Sequence, residues 1–140
     1  MDKIVIDSTV FVSALGKPDD FSANSKQFLA TLLKHDSIQL IIPTVVIAET
    51  LNTLQKQDKP IKNLLTYFSG FELVALDSEF INYFAKNLKK SPLKTSDAII
   101  AVTAKLNNSL LISWDKQLIS PKNVLCKTLT PKEFLTQQKN

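Results

Sequence analysis

Residues 4–7 read Ile-Val-Ile-Asp, a short apolar run that ends on an aspartate. The run shows no alternation of apolar and polar residues, which is typical of a strand covered on both faces in a parallel sheet. Residues 110–115, Leu-Leu-Ile-Ser-Trp-Asp, repeat the pattern near the other end of the chain. Ligand sites in open parallel sheets lie beyond the carboxyl ends of the strands. We therefore expect Asp7 and Asp115 to lie close together.

Helical patterns fill the gaps between such runs. Strands are predicted at residues 4–6, 39–42, 72–76 and 110–113, with a weaker one at 124–129. Helices are predicted over residues 22–35 and 80–88, from Pro43, Pro60 and Pro131, and from a cap at Thr95 or Ser96. This alternation predicts an α/β fold, a three-layer α/β/α sandwich with a central, mostly parallel sheet of four or five strands. We expect one domain over residues 1–140.

The composition is that of a globular protein with a basic surface. Of the 140 residues, 44% are apolar and 21% charged, and the net charge is +4. All 17 basic residues are lysines, so bidentate guanidinium contacts to phosphate are excluded. A basic exterior suits a polyanionic substrate. A lysine-rich coding bias explains the same composition.

The chain has one cysteine, Cys126, so an intramolecular disulfide is excluded, and we expect this residue to be buried in a strand. The N-terminal residues do not resemble a signal peptide, and no apolar run approaches the ~18 residues of a membrane span. We expect a cytoplasmic protein with no membrane partner.

Four of the 13 acidic residues adjoin or interrupt apolar sequence, namely Asp7, Glu49, Asp97 and Asp115. An ionised carboxylate in such a setting is costly unless it is paired, hydrogen-bonded or bound to a cation. Each has an ordinary explanation as well. Asp7 and Asp115 fit turn or helix-cap positions, Asp97 suits a helix dipole, and Glu49 fits a solvent-facing helix side.

The joint pattern is more informative than any single acid. The four carboxylates come from successive strand–helix units and can converge in one pocket, where their repulsion requires protons or cations. Ligation by oxygen alone favours Mg²⁺ or Mn²⁺. The single histidine, His35, fits a helix end or the surface better than a zinc site.

Residues 4–10 (IVIDSTV), 43–49 (PTVVIAE), 96–101 (SDAIIA) and 111–115 (LISWD) together resemble the PIN-domain family. They are most similar to the small toxin ribonucleases of the VapC type, and the resemblance covers residues 3–129. Mild departures are Thr9 in place of asparagine or serine, Ser113 in place of threonine, and Asn107-Asn108 where a glycine often ends a helix. Asparagine tolerates the left-handed conformation required there.

The resemblance implies both an activity and partners. It implies that Asp7, Glu49, Asp97 and Asp115 are catalytic and bind one or two Mg²⁺ or Mn²⁺ ions, with Thr9 and Ser113 supporting them. RNA would be hydrolysed to products with 5′-phosphate and 3′-hydroxyl ends by metal-activated water. The toxin would be held inactive by a small cognate antitoxin, and a homodimer is expected.

Two further features are candidates for RNA contact. Lys86, Lys89, Lys90 and Lys94 cluster before Asp97 and fit the phosphate backbone, although a solvated helix face explains them too. Trp114 suits stacking on a base or, alternatively, core packing.

Two other functions remain open from the sequence. Asp7 at a strand end suits a phospho-acceptor of receiver or phosphatase type, but Thr9 stands where related phosphatases have a second aspartate. A non-catalytic module that binds RNA or protein is the other alternative.

Overall fold

Five strands form one parallel sheet within residues 2–88 and 92–139, which the computed structural model describes. In chain order they are β1 (Asp2–Ile6), β2 (Ile38–Pro43), β3 (Glu72–Val74), β4 (Leu110–Ile112) and β5 (Thr128–Leu129). Their order across the sheet is β3-β2-β1-β4-β5, and every neighbouring pair is parallel.

Helices connect these strands. They are α1 (Ser8–Leu15), α2 (Ser22–Leu33), α3 (Thr44–Lys56), α4 (Leu64–Phe68), α5 (Ser78–Leu88), α6 (Thr95–Leu106), α7 (Lys116–Ile119) and α8 (Pro131–Gln138). Helix α1 packs against α2 and α3, α2 against α8, and α6 against β1 and β4. No helix in the described part of the chain is long and apolar enough to cross a membrane.

The central strands are covered on both faces. Ile4, Val5 and Ile6 in β1 are at most 2% exposed. Successive side chains of a strand point to opposite faces, so burial of all three requires packed layers on both sides of the sheet. Phe11 of α1 lies in one such layer, with its ring centroid 4.9 Å from that of Phe68 in an edge-to-face contact. The predicted α/β fold with a parallel central sheet is confirmed.

The order in which strands are added to the sheet reverses between β1 and β4: β2 and β3 lie on one side of β1, and β4 and β5 lie on the other. Strand β1 pairs with β2 on one side and with β4 on the other, and Ile6 is the register partner of Ile112. The ladder continues one step further, since the Asp7 amide donates to the Ile112 carbonyl at 3.0 Å. The carboxyl ends of β1 and β4 therefore lie side by side at a topological switch point, the usual place for a ligand site in such a sheet.

Several element boundaries differ from the prediction. Pro43 is the last residue of β2 and the N-cap of α3, which therefore begins at Thr44, one residue later than we expected. Pro60 does not begin a helix, because α4 starts at Leu64. Lys94, rather than Thr95 or Ser96, is the N-cap residue of α6, and no side-chain cap bond forms there.

The strands at the two edges of the sheet are shorter than predicted. Strand β3 ends at Val74, and β5 comprises Thr128 and Leu129 alone among residues 124–129. Cys126 therefore precedes a strand and is half-buried, contrary to the expected strand position. The left-handed turn expected after α6 is present, with Asn108 at φ 50°.

Candidate active site

Asp7 occupies a helix N-cap position without acting as an ordinary cap. It joins β1 to α1 with an extended backbone (φ −79°, ψ 158°), yet its side chain makes no cap bond. Its Oδ2 instead accepts hydrogen bonds from Thr9 Oγ1 at 2.8 Å and from Ser113 Oγ at 2.7 Å. The side chain is only 2% exposed. The interactions of this buried carboxylate thus extend from α1 to the end of β4.

Two backbone amides orient the hydroxyl groups that contact Asp7. The Trp114 amide donates to Thr9 Oγ1 at 3.0 Å, and the Asp115 amide donates to Ser113 Oγ at 2.9 Å. Because each hydroxyl oxygen already accepts an amide proton, its own proton is free to point at Asp7 Oδ2. Both hydroxyls therefore support the ionised form of Asp7 through the same oxygen, Oδ2.

Burial works against that ionised form. The pKa of Asp7 is raised above its ordinary value, chiefly by desolvation, while hydrogen bonds from Ser113, Thr9 and the Ser8 backbone lower it. The charge of Asp115 raises it further.

Asp115 is both a helix cap and a neighbour of Asp7. Its Oδ1 accepts a hydrogen bond from the Gln117 amide at 2.8 Å and so caps the short helix α7. The ordinary cap explanation therefore applies to this residue. Asp115 also lies near the other acids, since its charge raises the pKa of both Asp7 and Asp97. A role as a helix cap does not require this proximity.

Glu49 reaches the cluster from α3. It is half-buried, and its Oε1 accepts a hydrogen bond from Ser8 Oγ at 3.4 Å. Its pKa is raised, first by burial and then by the charges of Asp7 and Asp97, against the lowering effect of hydrogen bonds from Ser8 and Ser96. A carboxylate on a purely solvent-facing helix side would not have these neighbours.

Asp97 lies in the first turn of α6 and is 9% exposed. Burial raises its pKa from 3.8 to about 6, and the charges of Asp115 and Asp7 add to the effect. The neighbouring Lys94 lowers the pKa, but not enough to offset burial and the two like charges. The favourable helix dipole of a first-turn acid is thus outweighed by burial and by like charges.

The four carboxylates form one group, which we call the acidic cluster: Asp7, Glu49, Asp97 and Asp115. Their mutual repulsion and their oxygen-only chemistry suit a hard divalent cation. Among the described residues, however, no three acidic, histidine or cysteine side chains converge closely enough to hold one ion by themselves. This spacing fits Mg²⁺, which commonly binds through one or two carboxylates and retains several waters.

Comparison with known proteins assigns the family. The model of the PIN domain family matches residues 4–122, most of the chain and all four acids. The chain belongs to the PIN domain family. A comparison with curated protein sequences gave no match.

Solved structures share this PIN fold at low sequence identity. A toxin–antitoxin complex from Klebsiella pneumoniae aligns with a TM-score of 0.70 and 19% identity, over 91% of this chain and 97% of that one. VapBC2 from Rickettsia felis, bound to a DNA fragment from its promoter, aligns at 0.65 and 18% over 91% and 98% of the two chains. FitAcB from Neisseria gonorrhoeae aligns at 0.66 and 17% over 92% and 98%.

The lysines of this PIN domain differ in their relation to the acidic cluster. Lys94 is exposed and close enough to Asp97 to lower the pKa of that carboxyl. Lys86 is exposed in the last turn of α5. Lys89 and Lys90 lie outside the described residues, so the predicted lysine cluster stays a prediction.

Trp114 is held between the acidic cluster and α2. Its Nε1 donates a hydrogen bond to Ser25 Oγ at 2.7 Å, and its ring stacks on that of Phe21 at a centroid distance of 4.3 Å. The indole is half-buried. Its exposure is therefore intermediate between that of a core residue and that of an exposed stacking surface, the two interpretations of the sequence.

Sequence reasoning missed three residues that surround this site. Ser8 bonds Glu49, Ser25 anchors Trp114, and Phe21 covers one face of the indole. Phe21 carried a usable signal, because it is an aromatic residue between Asp20 and Ser22 in a polar segment. Ser8 and Ser25 carried none, since a serine contact depends on tertiary structure.

His35 lies at the opposite end of the sheet. It is exposed and lines a cavity of about 450 Å³ with Asp2 and Lys3, beside the amino end of β1. It contributes nothing to the acidic cluster, in keeping with the expected oxygen-only ligands.

Proposed function

We propose that this PIN domain is a divalent-metal-dependent endoribonuclease that hydrolyses RNA phosphodiesters. The observation that carries the proposal is the acidic cluster at the switch point of the sheet, where Asp7, Glu49 and Asp97 all have raised pKa values. A cluster of this kind is costly for a scaffold and useful for binding cations. Membership of the PIN domain family supports a nuclease, because PIN domains are generally nucleases.

The acidic residues would hold Mg²⁺ or Mn²⁺, as one or two ions. When bound, such an ion lowers the pKa of a coordinated water and stabilises the charge that develops on the scissile phosphate. Asp7 would be the central ligand, since two oriented hydroxyls hold its Oδ2 and favour its ionised form against the effect of burial. Asp97, Glu49 and Asp115 would contribute through direct or water-mediated contacts.

The chain's own groups would position the substrate and the ligands. Thr9 and Ser113 orient Asp7, and the Ser8 hydroxyl orients Glu49. Lys94, exposed beside Asp97, is suited to the RNA phosphate backbone. The roles of Lys86, Lys89 and Lys90 in the same contact are part of this proposal.

We further propose that the protein is the toxin of a toxin–antitoxin pair and is inhibited by a small cognate antitoxin. The support is the similarity to structures described as a toxin–antitoxin complex and as VapBC2. A homodimer, expected from the family resemblance, belongs to the same proposal.

The test is cleavage of RNA by the purified protein in Mg²⁺ or Mn²⁺, in EDTA, and with an Asp7→Asn variant. The proposal predicts cleavage that requires the cation and is lost in Asp7→Asn. Asp36→Asn is the matched control, because Asp36 is an exposed aspartate that precedes β2, far from the acidic cluster in the sheet.

Each alternative function has its own outcome in this test. Intact, folded protein that binds RNA without cleaving it in either cation would overturn the nuclease in favour of a binding module. Covalent labelling of Asp7 by a phosphoryl donor, without RNA cleavage, would favour the phospho-acceptor.

A further inference from the structure

An exposed aromatic pair lies beside the acidic cluster. Phe21 precedes α2 and is 43% exposed, and its ring is nearly parallel to that of Trp114, at an interplanar angle of 19°. Trp114 is adjacent to Asp115 in the chain, and its amide bonds Thr9, which itself contacts Asp7. We refer to Phe21 and Trp114 as the aromatic platform.

The Trp114 ring of the platform is held in place by hydrogen bonds within the protein. Trp114 Nε1 donates to Ser25 Oγ at 2.7 Å, and Ser25 Oγ lies 2.5 Å from Ser13 Oγ, which donates to the Val10 carbonyl. Ser25 and Ser13 are buried. A ring held in this way loses little conformational freedom when a further ring stacks on the platform.

The loop that carries Phe21 is fixed as well. Asp19 Oδ1 accepts hydrogen bonds from the Phe21 amide at 2.9 Å and from Ser22 Oγ at 3.2 Å, and Ser22 Oγ accepts one from the Asp19 amide. One face of the Phe21 ring lies on the indole, and the residue as a whole is exposed, so the ring is open to solvent away from the indole.

We propose that Phe21 is a stacking site for an unpaired base of the RNA substrate, a proposal that rests on the nuclease function above. Aromatic side chains bind single-stranded nucleic acid by stacking on successive bases, without a requirement for a particular base. The platform extends from Asp115 outward, so a base on Phe21 would belong to a nucleotide close to the cleaved phosphate.

The surroundings of Phe21 favour a base over a protein partner. The exposed residues just before it in the chain are Lys17, Pro18, Asp19 and Asp20, three of which are charged. A protein partner generally requires a wider apolar surface. A base offers a flat face with a polar edge, which matches a single exposed ring next to charged residues in the chain.

The same charges exclude a phosphate contact at this position. Asp19 and Asp20 repel phosphate, and the uncharged Phe21 ring cannot pair with it, so the contribution of Phe21 comes from the base and not from the RNA backbone. Its contribution to affinity is therefore expected to be independent of salt, unlike that of the lysines.

The experiment measures RNA affinity by fluorescence anisotropy in the Asp7→Asn background, where the RNA stays intact in the presence of Mg²⁺. The probe is a short labelled single-stranded RNA, together with copies that lack the base at one nucleotide in turn. Phe21→Leu removes the aromatic face at similar volume, and Phe21→Tyr retains it. A cooperative thermal unfolding transition shows that each variant is folded.

We expect Phe21→Leu to weaken binding roughly tenfold, with an unchanged dependence of log Kd on log salt, and Phe21→Tyr to bind like the parent. Loss of one particular base should weaken binding by the parent and have little effect on Phe21→Leu. If Phe21 had only a structural role, loss of a base would weaken binding equally in the parent and in Phe21→Leu.

Equal affinity of Phe21→Leu and its parent for every probe would overturn the stacking site and leave Phe21 to a protein partner. Metal-dependent RNA cleavage by the otherwise unaltered protein would then still uphold the nuclease. Absence of both RNA binding and cleavage in folded protein would overturn the two proposals together.

Discussion

Ser113 Oγ donates a hydrogen bond of 2.7 Å to Asp7 Oδ2 and thereby joins the carboxyl ends of β4 and β1. The same hydroxyl accepts the Asp115 amide proton. One small side chain thus fixes the position of one acid and the backbone of another.

Replacing Ser113 by alanine should weaken both the fold and metal binding. The change leaves the Asp115 amide without its hydroxyl acceptor and Asp7 Oδ2 with one hydroxyl donor, Thr9, instead of two, which costs about 1–3 kcal/mol in the free energy of unfolding. Loss of a group that orients a ligand should lower Mg²⁺ affinity about tenfold or more. Urea denaturation and Mg²⁺ titration measure the two effects. Ser109→Ala, which removes a buried hydroxyl bonded to the Asn107 carbonyl just before β4, should leave Mg²⁺ affinity unchanged.

The stability of the metal-free protein should depend on pH through Asp97. Folding raises the pKa of this carboxyl from 3.8 to about 6, so between these values the folded state binds more protons than the unfolded state. The free energy of unfolding therefore decreases as pH rises through this window, because the folded protein loses the proton that Asp97 binds more tightly than it does in the unfolded chain. Thermal unfolding in EDTA should show wild type losing stability relative to Asp97→Asn over this range. A pH-independent difference between the two proteins would contradict the account.

A divalent cation should stabilise the folded protein at neutral pH, because it binds the acidic cluster of the folded state. An excess of 100-fold over Kd corresponds to about 2.7 kcal/mol. Thermal unfolding should show a higher Tm in Mg²⁺ or Mn²⁺ for wild type and for Asp36→Asn, and a smaller rise for Asp7→Asn. An equal rise in all three proteins would assign the effect to ions bound elsewhere.

Gly16 ends α1 where the helix closely approaches α3. A Cβ atom there would lie 2.7 Å from the Val12 carbonyl oxygen, would overlap Gln57 Oε1, and would come within 3.2 Å of Leu54 Cδ2. Gly16→Ala should lower the free energy of unfolding by about 1–3 kcal/mol, the usual cost of overpacking. Gly70→Ala is the matched control, since the nearest atom to its Cβ, the Tyr67 carbonyl oxygen, is 3.8 Å away. Equal stability of the two variants would show that α1 and α3 adjust freely.

The central strands could be predicted because their physical signals are local. The uninterrupted apolar residues 4–6 and 110–112 are buried strands, and the acids that follow them lie at neighbouring strand ends. The short helix α1 was not predicted, although Asp7, its N-cap residue, was recognised as a candidate for a turn or helix cap.

Features that depend on tertiary contacts could not be predicted in this way. The edge strand β5 pairs only at Thr128 and Leu129, so its length reflects the neighbouring β4 and not its own apolar pattern. The hydrogen bond from Trp114 to Ser25 joins residues 89 positions apart, and no local signal specifies it. The stacking of Phe21 on Trp114 is of the same kind.

The chemical ends of the RNA products test the central claim most directly. Attack by water with expulsion of the 3′ oxygen leaves a 5′-phosphate and a 3′-hydroxyl, the ends that the family resemblance implies, so we predict these ends on fragments produced by wild type in Mg²⁺ or Mn²⁺. No fragments should form in EDTA or with Asp7→Asn. Fragments with 2′,3′-cyclic phosphate ends that persist in EDTA and with Asp7→Asn would show attack by the RNA's own hydroxyl and would contradict a metal-dependent site built on Asp7, Glu49, Asp97 and Asp115.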